Sequence, residues 1–106
     1  MKPLPRNQLA HALRTARHAV GLSQEGFGDV SGRTYISQLE RGERHATLSK
    51  VDDLASVLEI HPATLVLLAY LPKNLHERSI DALLALVRAE LVQLAAKDQA
   101  PSAAGG

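Results

Sequence analysis

The 106-residue chain has 45% hydrophobic residues and no cysteine, enough for one compact core but nothing for a disulfide frame or a thiolate metal site, so a reducing cytoplasm is the expected setting. Its longest apolar run, Leu65 to Leu71, is far short of the ~20 residues a membrane-spanning helix requires, and Met1 to Pro5 lack the apolar stretch of a secretory signal. The net charge of +1 hides an asymmetry: residues 1–50 carry eight Lys or Arg against four Asp or Glu, and residues 51–106 carry four against seven, which makes the first half the candidate for phosphate contact.

Aromatics are only 3% of the chain while Leu and Ala abound, so an all-α fold is expected. Asn7 is placed to cap a first helix, in which Leu9, Ala12, Leu13, Ala16 and Val20 recur mostly at three- and four-residue steps until Gly21 stops it. Ser23 can cap a short second helix through Gln24, Glu25 and Phe27. Gly26 and Gly28 each cost that helix roughly 1 kcal/mol relative to alanine, so it must lean on tertiary packing. After Val30, Ser31 and Gly32 a third helix is read from Arg33 to Arg41, with Ile36 and Leu39 inward and Gly42 as its C-terminal cap.

Thr47 begins a fourth helix whose Leu48, Val51, Leu54, Ala55 and Leu58 form one apolar stripe. Pro62 suits the first turn of a fifth, which ends near Leu71 and Pro72 and is apolar nearly all round, so burial on more than one side is expected. Asn74 followed by Glu77 has capping-box spacing and opens a long last helix running to about Lys97. Small residues, Gly and Pro make Gln99 to Gly106 a disordered tail by composition.

The third helix carries the chemistry. Arg33, Thr34, Ser37, Gln38 and Arg41 lie at offsets that a 3.6-residue period gathers onto one face, and none of them is apolar. Arg and Gln can form paired hydrogen bonds to the major-groove edges of guanine and adenine, and short hydroxyl residues between them permit close approach. Taken alone, the pattern also suits a merely solvated helix face. Two short helices joined by a tight turn, the second presenting this face, make a helix-turn-helix unit. Gln24, at the start of the first of the two, is placed to hydrogen-bond a phosphate beside free backbone N–H groups.

Over Leu9 to Leu71 the sequence resembles the Xre family, the Cro and phage-repressor type of helix-turn-helix domain. The resemblance is carried by Gly21, Leu22, Ser23, Gln24 and Glu25, together with Tyr35, Ile36, Ser37, Leu39, Glu40, Arg41 and Gly42. It implies a five-helix lambda-repressor-like domain, here extended by the long last helix, that binds double-stranded DNA and regulates transcription. It further implies that Gln24 anchors a phosphate, that Arg33, Thr34, Ser37 and Gln38 face bases with Tyr35 beside them, and that Arg41 and Arg44 lie near the DNA backbone. Arg17 and Glu40 match a pair that in this family forms a mostly buried salt bridge between the first and third helices. Two departures stand out: the stretch from Gln24 to Tyr35 is about two residues shorter than the usual spacing, so either the turn is tighter or the second helix shorter, and Ala46 sits where proline is frequent.

In the last helix Ile80, Leu84, Val87, Leu91 and Leu94 step by four, three, four and three residues, the spacing of a coiled-coil or bundle seam. Leu83, Leu86 and Val92 add a second apolar flank. One stripe can complete the monomer core, whereas two call for a partner, so a homodimer is expected with two recognition helices ~34 Å apart on a palindromic operator. The organisation read is residues 1–72 for DNA binding, 73–98 for dimerisation and 99–106 for the tail.

His11 and His18 stand seven residues apart without a completing carboxylate, and His61 and His76 look like helix-start residues; His45 stands next to Arg44 in a loop. No nucleophile–base constellation, phosphate-cradling loop, metal set or cofactor motif is present, so neither an enzyme nor a small-molecule substrate is expected. The competing reading is a protein-interaction module, an antitoxin, co-regulator or antirepressor, acting through the acidic half on the same fold.

Overall fold

A computed structural model describes residues 6–28 and 31–99, and every element in it is helical: α1 (Leu9–Ala19), one 3₁₀ turn (Gln24–Phe27), α2 (Arg33–Glu40), α3 (Leu48–Leu58), α4 (Pro62–Ala69) and α5 (Glu77–Gln99). The chain divides into two compact units, one running to Lys73 and the other starting at Asn74.

In the first unit α1 packs on α2 and α4, α3 packs on α4, and the 3₁₀ turn packs on α2. Leu13, Phe27, Ile36, Leu39, Leu54 and Leu65 are fully buried where these elements meet. Side chains of this size contribute ~1.5–3 kcal/mol each on leaving water, enough to hold elements as short as the four-residue turn and the eight-residue α2. Burial of Val51, Leu54, Ala55 and Leu58 gives α3 its inward stripe, but Leu48 is 77% exposed because it opens the helix beyond the edge of the core. Both α1 and α3 pack on α4, which buries Leu65 and Ala69 and leaves Val66, Leu67 and Leu68 half-buried.

Caps mark several of the boundaries. Thr47 accepts a hydrogen bond from the Lys50 amide at 3.1 Å, and the ring Nδ1 of His61 accepts from the Ala63 amide at 2.9 Å, each satisfying a first-turn donor. Gly42 follows α2 with φ +73°, a left-handed conformation that an L side chain resists. At α1 the N-cap is Gln8 rather than Asn7, whose side-chain oxygen instead accepts from the Leu9 amide at 3.2 Å. The capping box expected at Asn74 does not form: α5 opens at Glu77 itself, so Glu77 stands in its first turn too early to reach back, and the His76 carbonyl receives the Ile80 amide.

The second helix is shorter than a helix of the α type. Bonds from the Gly26 amide to the Ser23 carbonyl and from the Gly28 amide to the Glu25 carbonyl are three-residue steps, and Gly28 ends the turn at φ +55°. Gly26 has a different cause. A Cβ there would sit 2.3 Å from Leu22 Cδ1, so its missing side chain lets Leu22 close over the turn.

The second unit contains α5, in which no residue is buried. Ile80, Leu83 and Val87 are half-buried, while Leu84, Leu86, Leu91, Val92 and Leu94 are 45–62% exposed. Gln99 closes this helix instead of opening the tail, and the rest of the expected tail lies outside the described residues. No described helix is long and apolar enough to cross a membrane.

Candidate nucleic-acid interface

Ile36 and Leu39, pinned in the core, fix the rotation of α2 and turn its opposite face outward. On that face Arg33, Thr34 and the following Arg41 are exposed, and Ser37 and Gln38 are half-exposed. Several of these side chains are already engaged. Arg33 Nη1 lies 3.4 Å from Glu25 Oε1, tying the start of α2 to the 3₁₀ turn through two groups that are each 68% exposed. Arg41 donates from Nε to the Glu43 carboxylate and from Nη1 to the Ser37 hydroxyl. The hydrogen bond and charge of Arg41 hold the Glu43 carboxyl below the usual carboxylate range.

Tyr35 sits half-buried at the edge of this face between two cations, with Arg44 5.7 Å and the Lys50 amine 5.1 Å from its ring centre. Arg44 Nε also donates to Gln38 Oε1 at 2.5 Å. Lys50 donates to the Ser31 hydroxyl at 2.9 Å and lies 4.0 Å from Asp53. Lys50 was not legible in the sequence, since it opens α3 while Tyr35 lies on α2, and only the fold brings the two side chains together.

Behind the face is a buried polar hub centred on Glu40. Arg17 donates from Nε to Oε2 at 2.6 Å and from Nη2 to Oε1 at 2.9 Å, while Arg17 Nη1 donates to the Leu22 carbonyl at 2.9 Å. The side chains of Arg17 and Glu40 are 10% and 2% exposed. This fork locks α1 to the last residue of α2 and to the segment leading into the 3₁₀ turn. Burial alone pushes the Glu40 carboxyl up, but hydrogen bonds from Arg17 and Gln24 and the charges of Arg17 and Arg14 outweigh it and hold the group low. The same contact raises Arg17.

Two residues join the hub in ways the sequence did not reveal. Arg14 Nη2 donates to the Glu40 backbone carbonyl at 2.7 Å, placing a cation on an end carbonyl of α2. Gln24 donates its amide to Glu40 Oε1 at 3.1 Å, so the residue expected on a phosphate is held from inside by the hub. Among the described residues no three His, Asp or Glu groups gather to hold a metal ion. His11 Nε2 is 3.4 Å from the Thr15 hydroxyl, and His18 Nε2 is 3.2 Å from Arg17 Nη2.

A short helical turn and a second helix, the latter held against α1 by a buried ion pair and showing a polar outer face, define a helix-turn-helix protein. Residues 13–65, half of the chain, match the helix-turn-helix family model, and the chain belongs to that family in its Xre-like form. It is similar to the control protein C.SmaI of Serratia marcescens, with 46% identity over 52 residues that span 47% of this chain and 62% of that protein. Less than two thirds of that relative is therefore matched. The crystal structure of the restriction-modification controller protein C.AhdI from Aeromonas hydrophila matches 54% of this chain and 86% of its own, with 37% identity and a TM-score of 0.51. The clp gene regulator ClgR from Corynebacterium glutamicum matches 93% of this chain and 98% of its own at 20% identity and a TM-score of 0.56, which shows a shared fold.

Proposed function

We propose that this chain is a sequence-specific double-stranded-DNA-binding transcriptional regulator of the cytoplasm, acting by binding and not by catalysis, and working as a repressor on a palindromic operator. The observation that carries the reading is the outer face of α2, where Arg33, Thr34, Ser37, Gln38 and Arg41 are all polar and reachable while Ile36 and Leu39 anchor the other side. In this reading Arg33, Thr34, Ser37 and Gln38 contact base edges, and Tyr35, Arg41 and Arg44 border the phosphates. Gln24, steadied by Glu40, contributes its amide at the backbone. The likeness of about half of the chain to two controller proteins supports it.

Residues 1–72 then form the DNA-binding part, and residues 73–98 form a dimerisation element whose seam is Ile80, Leu84, Val87, Leu91 and Leu94. Support comes from the exposure of Leu84, Leu91 and Leu94 at 45%, 60% and 62%, a repeating apolar stripe left facing water. A two-fold pair of chains places two copies of α2 about one helical turn apart, ~34 Å.

Binding to duplex DNA measured over a salt series tests the proposal. A DNA reader loses affinity as a straight line in log–log form, with a slope set by the number of phosphates neutralised. Absence of duplex binding at low salt, with a partner protein captured through the acidic half, is the result that favours an interaction module.

A further inference from the structure

Gln38 is the one amide on the outer face of α2, and an amide reads different bases according to which end is presented. To read adenine it must accept from N6 through Oε1 and donate to N7 through Nε2. The structure leaves one of those ends without a partner and sets a cation against the other. Arg44 Nε donates to the side-chain oxygen of Gln38, and because a guanidinium has hydrogens and no acceptor, the atom facing it must be Oε1. Arg44 is itself held on a second side by the Tyr35 ring at 5.7 Å. The Gln38 nitrogen donates to nothing among the described residues.

We propose that Arg44 is a specificity-determining positioning residue, which acts through Gln38 by setting a donor and a positive charge on its oxygen and leaving its amide hydrogens as the end without a partner. This rests on the DNA-reading proposal above and adds the class of base that is read. An adenine amine brought to the same oxygen would be a second donor crowded against a guanidinium cation. Guanine offers O6 and N7, both acceptors, which suit the outward amide and gain from the nearby positive charge. The neighbours agree. Ser37 Oγ accepts from Arg41, so its own hydrogen is left to donate, and Arg33 and Arg41 can only donate. With Arg33, Ser37, Gln38 and Arg41 all offering hydrogens, the centre of this face selects half-sites rich in major-groove acceptors, guanine first, at the Gln38 position.

The test is selection of bound duplexes from a library randomised across the half-site, using the full chain and three variants. Gln38→Ala identifies the position, as the one whose preference relaxes. The wild-type chain is expected to select guanine there. Arg44→Met frees Oε1 and is expected to shift the choice toward adenine by about tenfold, the scale of one paired base contact. Arg44→Lys keeps a donor and a cation and retains guanine. Arg44 is exposed, so unfolding of the variants is not expected, and circular dichroism checks it. Adenine selected by the wild type overturns the inference. So does an Arg44→Met variant that binds all sequences more weakly with an unchanged profile, or a Gln38→Ala variant that relaxes no position. If the wild type enriches no sequence, the DNA reading itself fails and this inference falls with it.

Discussion

Glu40 carries four contacts at once, accepting from Arg17 twice and from Gln24 on its carboxylate and from Arg14 on its backbone carbonyl. Replacing it, as in Glu40→Ala, strands the Arg17 cation in a site where it is 10% exposed, and chemical denaturation should show a loss of ~3–5 kcal/mol. The same carboxyl sets an acid limit. Its folded-state pKa lies below the unfolded value, so its contribution is fully present above the ordinary glutamate value of about 4.3 and is lost as pH falls below that, through the lower folded-state value. Thermal melts of the wild type should therefore drop in that window, and Glu40→Ala, already without the group, should show a shallower decline. On the DNA side, Gln38→Ala removes a half-exposed amide and should weaken specific binding by ~1–3 kcal/mol with an unchanged melting temperature. Residue types and their spacing were enough to pick out the outward set on α2. They were not enough for Arg14 or Gln24, whose contacts cross 26 and 16 residues of chain and depend on how α1 and the 3₁₀ turn lie against α2.

At the scale of elements, periodicity foretold where helices fall better than what kind they are. The stretch from Gln24 to Phe27 has the residues of a helix start, yet Gly26 and Gly28 withdraw the propensity that would extend it, and one 3₁₀ turn results. Phe27, 2% exposed, anchors it from below. Gly28 stands at φ +55° with open space around its missing side chain, so Gly28→Ala should cost ~1–3 kcal/mol from backbone strain alone, visible in urea denaturation without loss of helical signal. Leu48 shows the limit of a stripe argument: it keeps the period of Val51, Leu54, Ala55 and Leu58 but lies one turn beyond the core they face. Asn74 shows the limit of a motif, since its spacing to Glu77 fits a capping box while the helix begins three residues later.

For the molecule as a whole, the seven-residue rhythm of α5 was visible in the sequence, but what covers it was not, because a seam looks alike whether it meets its own core or a second chain. The apolar side chains of α5 left in water make the dimer the economical reading. Leu84→Glu combined with Leu91→Glu places like charges along the proposed seam, and sedimentation should then report a monomer at concentrations where the wild type is a dimer. Unaltered sedimentation places the interface elsewhere.

The central claim, that α2 enters the major groove, meets its most direct test in methylation interference on a duplex selected by the wild-type chain. Methyl groups on guanine N7 obstruct the major groove, and those on adenine N3 obstruct the minor groove. The account predicts interference at guanine N7 in both half-sites, with one position in each losing its sensitivity in Gln38→Ala. Interference confined to adenine N3, or a pattern that Gln38→Ala leaves untouched, would contradict it.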